Sequence, residues 1–135
     1  MANTLYDFAR QRFLEAQINW MTDTIKVFLV STSSYTPQTA VHQYLADIPP
    51  SARIAGPVTL TAKATTGGAA DAADCTFTAV SGATINAIVI CKDTGTEATS
   101  PLIAYIDTAT GLPIAPNGGD IIVTWDNGVN KIFRV

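Results

Sequence analysis

Short strand-like runs, some apolar on both faces and some alternating, recur along most of this chain between turn signals, and its first stretch instead shows helical spacing. Over residues 3–16, Leu5, Phe8, Ala9, Phe13 and Ala16 recur at helical spacing and define one face. Asn3 or Thr4 is the expected cap, and Asp7 falls in the first turn, where a negative charge suits the helix dipole. Arg10, Gln11 and Glu15 lie off that face. A single helix beside many strands covers one side of a sheet, and that is its expected role here.

Strand patterns follow. Ile18 and Trp20 open a short strand. Residues 25–31 (IKVFLVS) are apolar on both faces and predict a central strand. Residues 32–39, with Tyr35 and Pro37, read as a loop, and residues 41–47 as a helical turn ended by Pro49 and Pro50. Residues 53–63 predict a strand, with Pro57 confining part of it to an edge or a bulge. Residues 65–71 read as a small-residue loop. Cys75, Phe77 and Ala79 alternate with Thr76, Thr78 and Val80, as in a half-buried strand. Residues 85–92 (INAIVICK) and 102–107 (LIAYID) predict buried strands around a turn at 93–99, and residues 108–119 a long loop holding Pro113 and Pro116. The final strands, 121–125 and 129–135, flank Asn127-Gly128, a type I′ turn signal that sets Val123 opposite Ile132 and Ile122 opposite Phe133. The expected fold is mainly β: a single domain over residues 1–135, a β-sandwich or jelly roll with Greek-key links, plus one short N-terminal α-helix.

Composition narrows the function. A chain of 135 residues buries roughly two thirds of its unfolded surface. It therefore needs neither metal nor disulfide to fold. Charged residues make up 14%, against about 25% in ordinary domains. A weakly charged surface desolvates at low cost and suits burial against a partner. Net charge is −3, and Arg10 and Arg12 share their segment with Asp7 and Glu15, so no basic stripe is present to grip nucleic acid. Cys75 and Cys91 lack zinc or redox spacing and read as small buried thiols from a reducing compartment, with a cross-strand disulfide as the alternative. The first residues lack the basic and apolar regions of a signal peptide, and no apolar run approaches the ~18 residues of a membrane span.

Candidate chemistry is sparse. Asp93-Thr94-Gly95-Thr96 matches the loop by which homodimeric aspartic proteases present one carboxylate of a shared pair. Lys92 stands beside it, where a cation pulls the acid's titration down, and Asp-Thr-Gly is also good turn chemistry, the preferred reading. Asp71 and Asp74, near Gly67-Gly68, form a weak calcium candidate without EF-hand spacing. His42 is the one histidine and has no ligand partner at useful spacing. Trp20, Trp125, Tyr44 and Tyr105 are candidates to stack on sugars, with core packing the expected fate of most. No GxSxG, GxGxxG or Walker A pattern occurs. The expectation is a protein that is not an enzyme and uses no catalytic residue, metal or cofactor.

One resemblance goes further. The helix leading into Asp23-Thr24-Ile25-Lys26-Val27, then Tyr35-Thr36, Ala46-Asp47-Ile48-Pro49 and Ala52-Arg53-Ile54, resembles a group of small virion proteins of tailed phages and prophages. The stretch LIAYIDTATGLP and the ending DIIVTWDNGVNKIFRV fit the same group, so the resemblance covers most of the chain. It implies a structural component of the particle, and the expected role is head decoration: a cement protein on the capsid exterior, made in the host cytoplasm, that clamps the major capsid protein against internal pressure. The expected partners are the major capsid protein and the chain itself as a dimer or trimer, with no nucleic acid and no membrane. Expected contact residues are Tyr6, Arg10, Phe13, Tyr35, Pro113 and Pro116. The alternatives are a tail or fibre component that binds host glycan and, more remotely, the homodimeric protease built on Asp93.

Overall fold

The computed structural model describes residues 4–107, 112–125 and 131–134. The chain is mainly β, as the run of strand patterns predicts, with one α-helix among the described residues, α1 (Asp7–Leu14). The strands in chain order are β1 (Thr4–Leu5), β2 (Ile25–Val30), β3 (Arg53–Thr59), β4 (Ala64–Thr66), β5 (Ala69–Asp71), β6 (Cys75–Phe77), β7 (Ala87–Lys92), β8 (Leu102–Ile106), β9 (Ile121–Val123) and β10 (Phe133–Arg134). They form an antiparallel five-stranded sheet in the order β1-β8-β7-β2-β3, a three-stranded sheet β10-β5-β4 and a two-stranded sheet β6-β9.

The centre of the large sheet is where the sequence is apolar on both faces. In β2 every residue except Lys26 is buried, and β8 is buried throughout. Ile25, Ile90, Leu102 and Ile103 have no exposed surface. Such strands stay dry only when both faces are covered. α1 packs on β8, and β6 packs on β3. The predicted edge position of Pro57 holds: β3 is the outer strand, and its pairing with β2 shifts register twice. Gly56 sits there at φ 107°, and a Cβ on it would lie 2.6 Å from the Val27 carbonyl oxygen, so glycine alone fits without a backbone shift.

Several expectations need correction. The helix begins at Asp7, not near residue 3, because Thr4 and Leu5 pair with Tyr105 and Ala104 on β8. The Tyr6 N–H then donates to Ile103 O at 3.0 Å and the Asp7 N–H to Thr39 O at 2.9 Å, so long-range carbonyls satisfy donors that a side-chain cap otherwise serves. Thr4 therefore does not cap the helix, and Asn3 lies outside the described residues. Ala9 is buried, Phe8 and Phe13 are half-buried, and Ala16, left-handed at φ 59°, is exposed beyond the helix end. Ile18 and Trp20 form no strand and are buried as anchors of an irregular loop. The helical turn expected over 41–47 is a 3-10 turn at Leu45–Asp47, and Pro50 starts a second one, Pro50–Ala52, rather than ending the first.

Residues 65–71 are not a loop but the hairpin β4–β5, turned by Gly67 and Gly68 at φ 56° and 86°. The last two strands do not pair with each other. β9 lies against β6, with Cys75 opposite Val123, and β10 lies against β5, with Phe133 opposite Ala70. This placement sets the Phe133 ring edge-on to Trp20 at 5.2 Å, a burial the hairpin register does not supply. Asn127-Gly128 lies outside the described residues.

Cys75 and Cys91 are free, buried and in different sheets. Burial, with Asp74 adding to it, pushes the Cys75 thiol up to about 11. Burial and the charge of Asp93 push Cys91 up to about 12. The neutral thiol is the form the fold favours. Its contribution is complete below the unfolded value of about 8.5 and is lost as pH rises through about 11 and then about 12. Ellman's reagent at pH 8 is expected to leave both thiols unlabelled in the native protein and to label both in denaturant. The urea midpoint is expected to fall as pH is raised above about 9.

Candidate functional site

The C-terminal end of α1, the loop through Ile18 and Met21, the β4–β5 hairpin and Phe133 together enclose an apolar groove of about 360 Å³. Its shape follows from residue size. Gly68, Ala69 and Ala70 leave space on the hairpin side, while Trp20 and Phe133 fill the floor. The Trp20 Nε1–H donates to Asp71 O at 3.1 Å, which fixes the indole against the hairpin. Phe13 closes the helix side, its ring 6.1 Å from that of Phe133. Among the described residues no ionisable side chain lines the groove, and Asn19 and Thr65 supply its polar side chains. Met21 on its wall is 50% exposed, and Leu14, next to Phe13 in the chain, is 86% exposed. Val41 and Ile122, away from the groove, are 62% and 65% exposed, so Met21 is distinguished by its place on the groove wall rather than by exposure.

Of the six residues expected to make contacts, the structure places Phe13 in the groove wall and Arg10 on the surface, paired with Asp7 at 3.0 Å. Pro113 is exposed and Pro116 half-buried, in a segment whose Ile114 bridges to Ile85. Tyr6 and Tyr35 do not belong on the list: they are 0% and 3% exposed. The reason is a buried polar chain. The Tyr6 and Tyr35 hydroxyl oxygens are 2.8 Å apart, and the Tyr35 hydroxyl lies 2.9 Å from His42 Nδ1. Each tyrosine therefore buries its ring without orphaning its hydroxyl. Leu14 and Met21 were not among the expected contacts. Leu14 carried a signal, being a large apolar residue off the periodic helix face.

The Asp93 loop is built as a turn. Its carboxylate accepts the Gly95 N–H at 3.0 Å and pairs with Lys26 at 3.0 Å. The Gly95 N–H first, and Lys26 second, hold its carboxyl below the usual carboxylate range. The Thr94 hydroxyl is spent on its own loop, 2.6 Å from that of Thr99. The cation at work is Lys26 rather than Lys92, because successive strand residues point to opposite faces. Lys92 instead meets Asp23 at 3.2 Å and Gln17 O at 2.8 Å.

The calcium candidate gains no support, since Asp74 accepts the Trp125 N–H at 3.1 Å and no three His, Cys, Asp or Glu side chains converge among the described residues. Trp20, Trp125 and Tyr105 are buried, and the half-buried Tyr44 ring carries the Arg12 guanidinium at 4.9 Å. Among the described residues no helix is long and apolar enough to cross a membrane. No family model matches the chain, and no curated protein matches it.

Proposed function

We propose that this chain is a phage capsid decoration protein. It binds the major capsid protein on the head exterior, associates with itself and stabilises the shell through contact area alone, with no bond made or broken. The observation that carries this reading is the apolar groove, lined by no ionisable side chain among the described residues and bearing the exposed Met21 on its wall, set against a sheet whose centre is dry on both faces. Apolar contact of this kind gains free energy from burial and loses little to desolvated charge. The resemblance of residues 2–30, 35–49, 52–55, 102–113 and 120–135 to virion proteins supports the same reading.

Self-association in this reading uses faces rather than sheet edges. The edge strand β3 is interrupted by Pro57 and by its register shifts, and β1 and β4 have two and three residues. Short or broken edges are poor templates for strand addition. A stable contact needs about 800 Å² per partner, which one face of a domain this size provides.

The test adds purified protein to shells that lack it and measures co-sedimentation and the shell melting temperature. The expected result is saturable binding, a copy number matching the shell lattice and a raised melting temperature. Binding is expected to weaken at least tenfold, on the order of 1.4 kcal/mol or more, when Leu14 and Met21 are both changed to Glu. Failure to bind shells, or a handful of copies per particle, overturns the reading in favour of a tail component.

A further inference from the structure

The chain of Tyr6, Tyr35 and His42 contains a proton-counting constraint. Tyr6 has no exposed surface, and among the described residues its hydroxyl has one hydrogen-bond partner, the Tyr35 hydroxyl. The Tyr35 hydroxyl has two, Tyr6 and His42 Nδ1. Burial, aided by Tyr35, pushes the Tyr6 phenol far above its ordinary range, so Tyr6 keeps its proton at any working pH. Two O–H hydrogens must therefore be placed among three heavy atoms. With Nδ1 unprotonated, Tyr6 donates to Tyr35, Tyr35 donates to Nδ1, and both hydrogens are satisfied. With a hydrogen on Nδ1, His42 donates to Tyr35 and only one of the two tyrosine hydrogens finds an acceptor: either Tyr35 accepts from Tyr6 as well and its own hydrogen is orphaned, or Tyr35 donates to Tyr6 and the Tyr6 hydrogen is orphaned. A buried donor left without an acceptor is costly.

We infer that His42 is a proton-sensitive latch. As the neutral imidazole carrying its hydrogen on Nε2, it terminates the buried Tyr6–Tyr35 chain, and its charging loosens the 35–47 segment from the start of α1. The attachment of that segment is local. The Asp7 N–H donates to Thr39 O at 2.9 Å, and the His42 ring stacks on Tyr35 at 5.4 Å. The groups facing this cluster are few. Asp47, on the following 3-10 turn, is within electrostatic reach of His42, and its carboxylate attracts a positive charge there. Its carboxylate is exposed and already accepts the Gln43 and Tyr44 N–H groups at 2.8 and 3.0 Å, so solvent and these bonds weaken that pull. Tyr105 on β8 faces both tyrosines and stays neutral, pushed up to about 12 mainly by burial. Tyr6 and Tyr35 are 0% and 3% exposed, so whichever hydrogen is orphaned has little solvent to turn to.

The chain has one histidine, which makes the test clean: between pH 7.5 and 5.5 it is the side chain whose ordinary titration, near about 6.5, falls in the window. Thermal melts of the isolated wild-type chain are expected to show a melting temperature about 5 °C lower at pH 5.5 than at pH 7.5, a roughly tenfold loss in the folding equilibrium. His42→Gln, whose side-chain oxygen accepts without titrating, is expected to remove that difference while keeping the pH 7.5 value within about 2 °C. Nitrogen NMR of the wild-type ring at pH 7.5 is expected to find the hydrogen on Nε2. A melting temperature that is flat or rises on acidification overturns the latch, as does a hydrogen on Nδ1 at pH 7.5, and both readings remain available if His42→Gln does not fold. The melts use no shells, so their outcome is independent of the decoration assay.

Discussion

Tyr6→Ala is expected to cost about 4 kcal/mol of folding stability, most of what a domain of this size has to lose. Tyr6 has no exposed surface and sits where β1 turns into α1, its own N–H bonded to Ile103 O on β8. Removing the ring opens a cavity beneath the helix, and the residues around it are held by the β1–β8 pairing, so they cannot collapse to fill it. The hydroxyl is the smaller part. Tyr6→Phe removes one oxygen and leaves Tyr35 bonded to His42, so its expected cost is about 1 kcal/mol. Urea denaturation of the two variants separates the contributions. A loss under about 1 kcal/mol for Tyr6→Ala means that the helix does not depend on this anchor.

Arg53→Met is expected to cost about 3 kcal/mol and to release the segment between β2 and β3. The Arg53 side chain is 10% exposed and works as a clamp. Its Nε donates to Ile48 O at 3.1 Å, and its Nη2 donates to Ile48 O at 2.7 Å and Leu45 O at 3.1 Å. Those carbonyls belong to the region of the two 3-10 turns, which have little regular backbone pairing of their own. Methionine keeps an apolar stem near the Phe28 ring and supplies no donor, so Ile48 O loses both Arg53 bonds while Leu45 O keeps only the Ile48 N–H of its own turn. The partner carboxylate is not the source of the effect. Glu97 pairs with Arg53 at 2.6 Å but is open to solvent, and Glu97→Gln is expected to change stability little. Hydrogen exchange should show faster exchange at the Asp47, Ile48 and Ala52 amides in Arg53→Met. Unchanged protection there, with unchanged stability, refutes the clamp.

What could be read from the sequence was what depends on burial alone. β2, β7 and β8 were legible because unbroken apolar runs are hard to place anywhere but the middle of a covered sheet. Pro57 marked an edge because it lacks a donor. What depends on a distant partner was not legible. Thr4 and Leu5 continue the helical period, and nothing near them in sequence reveals the open side of β8. Asn-Gly is a strong local turn signal, yet Val123 and Phe133 found β6 and β5 instead. The groove was hidden for the same reason: Phe13, Trp20 and Phe133 come from three separate parts of the chain. Tyr35 looked like a loop residue for the surface, and its burial rests on a hydroxyl partner 29 positions away.

The β1–β8 pairing also bears on how this protein folds. Residues 4–5 complete the sheet only against residues 104–105, far along the chain. Closing so long a loop costs entropy before any contact repays it, so this edge, and α1 beside it, is expected to settle after the β7–β8 pair, whose strands are near neighbours in sequence.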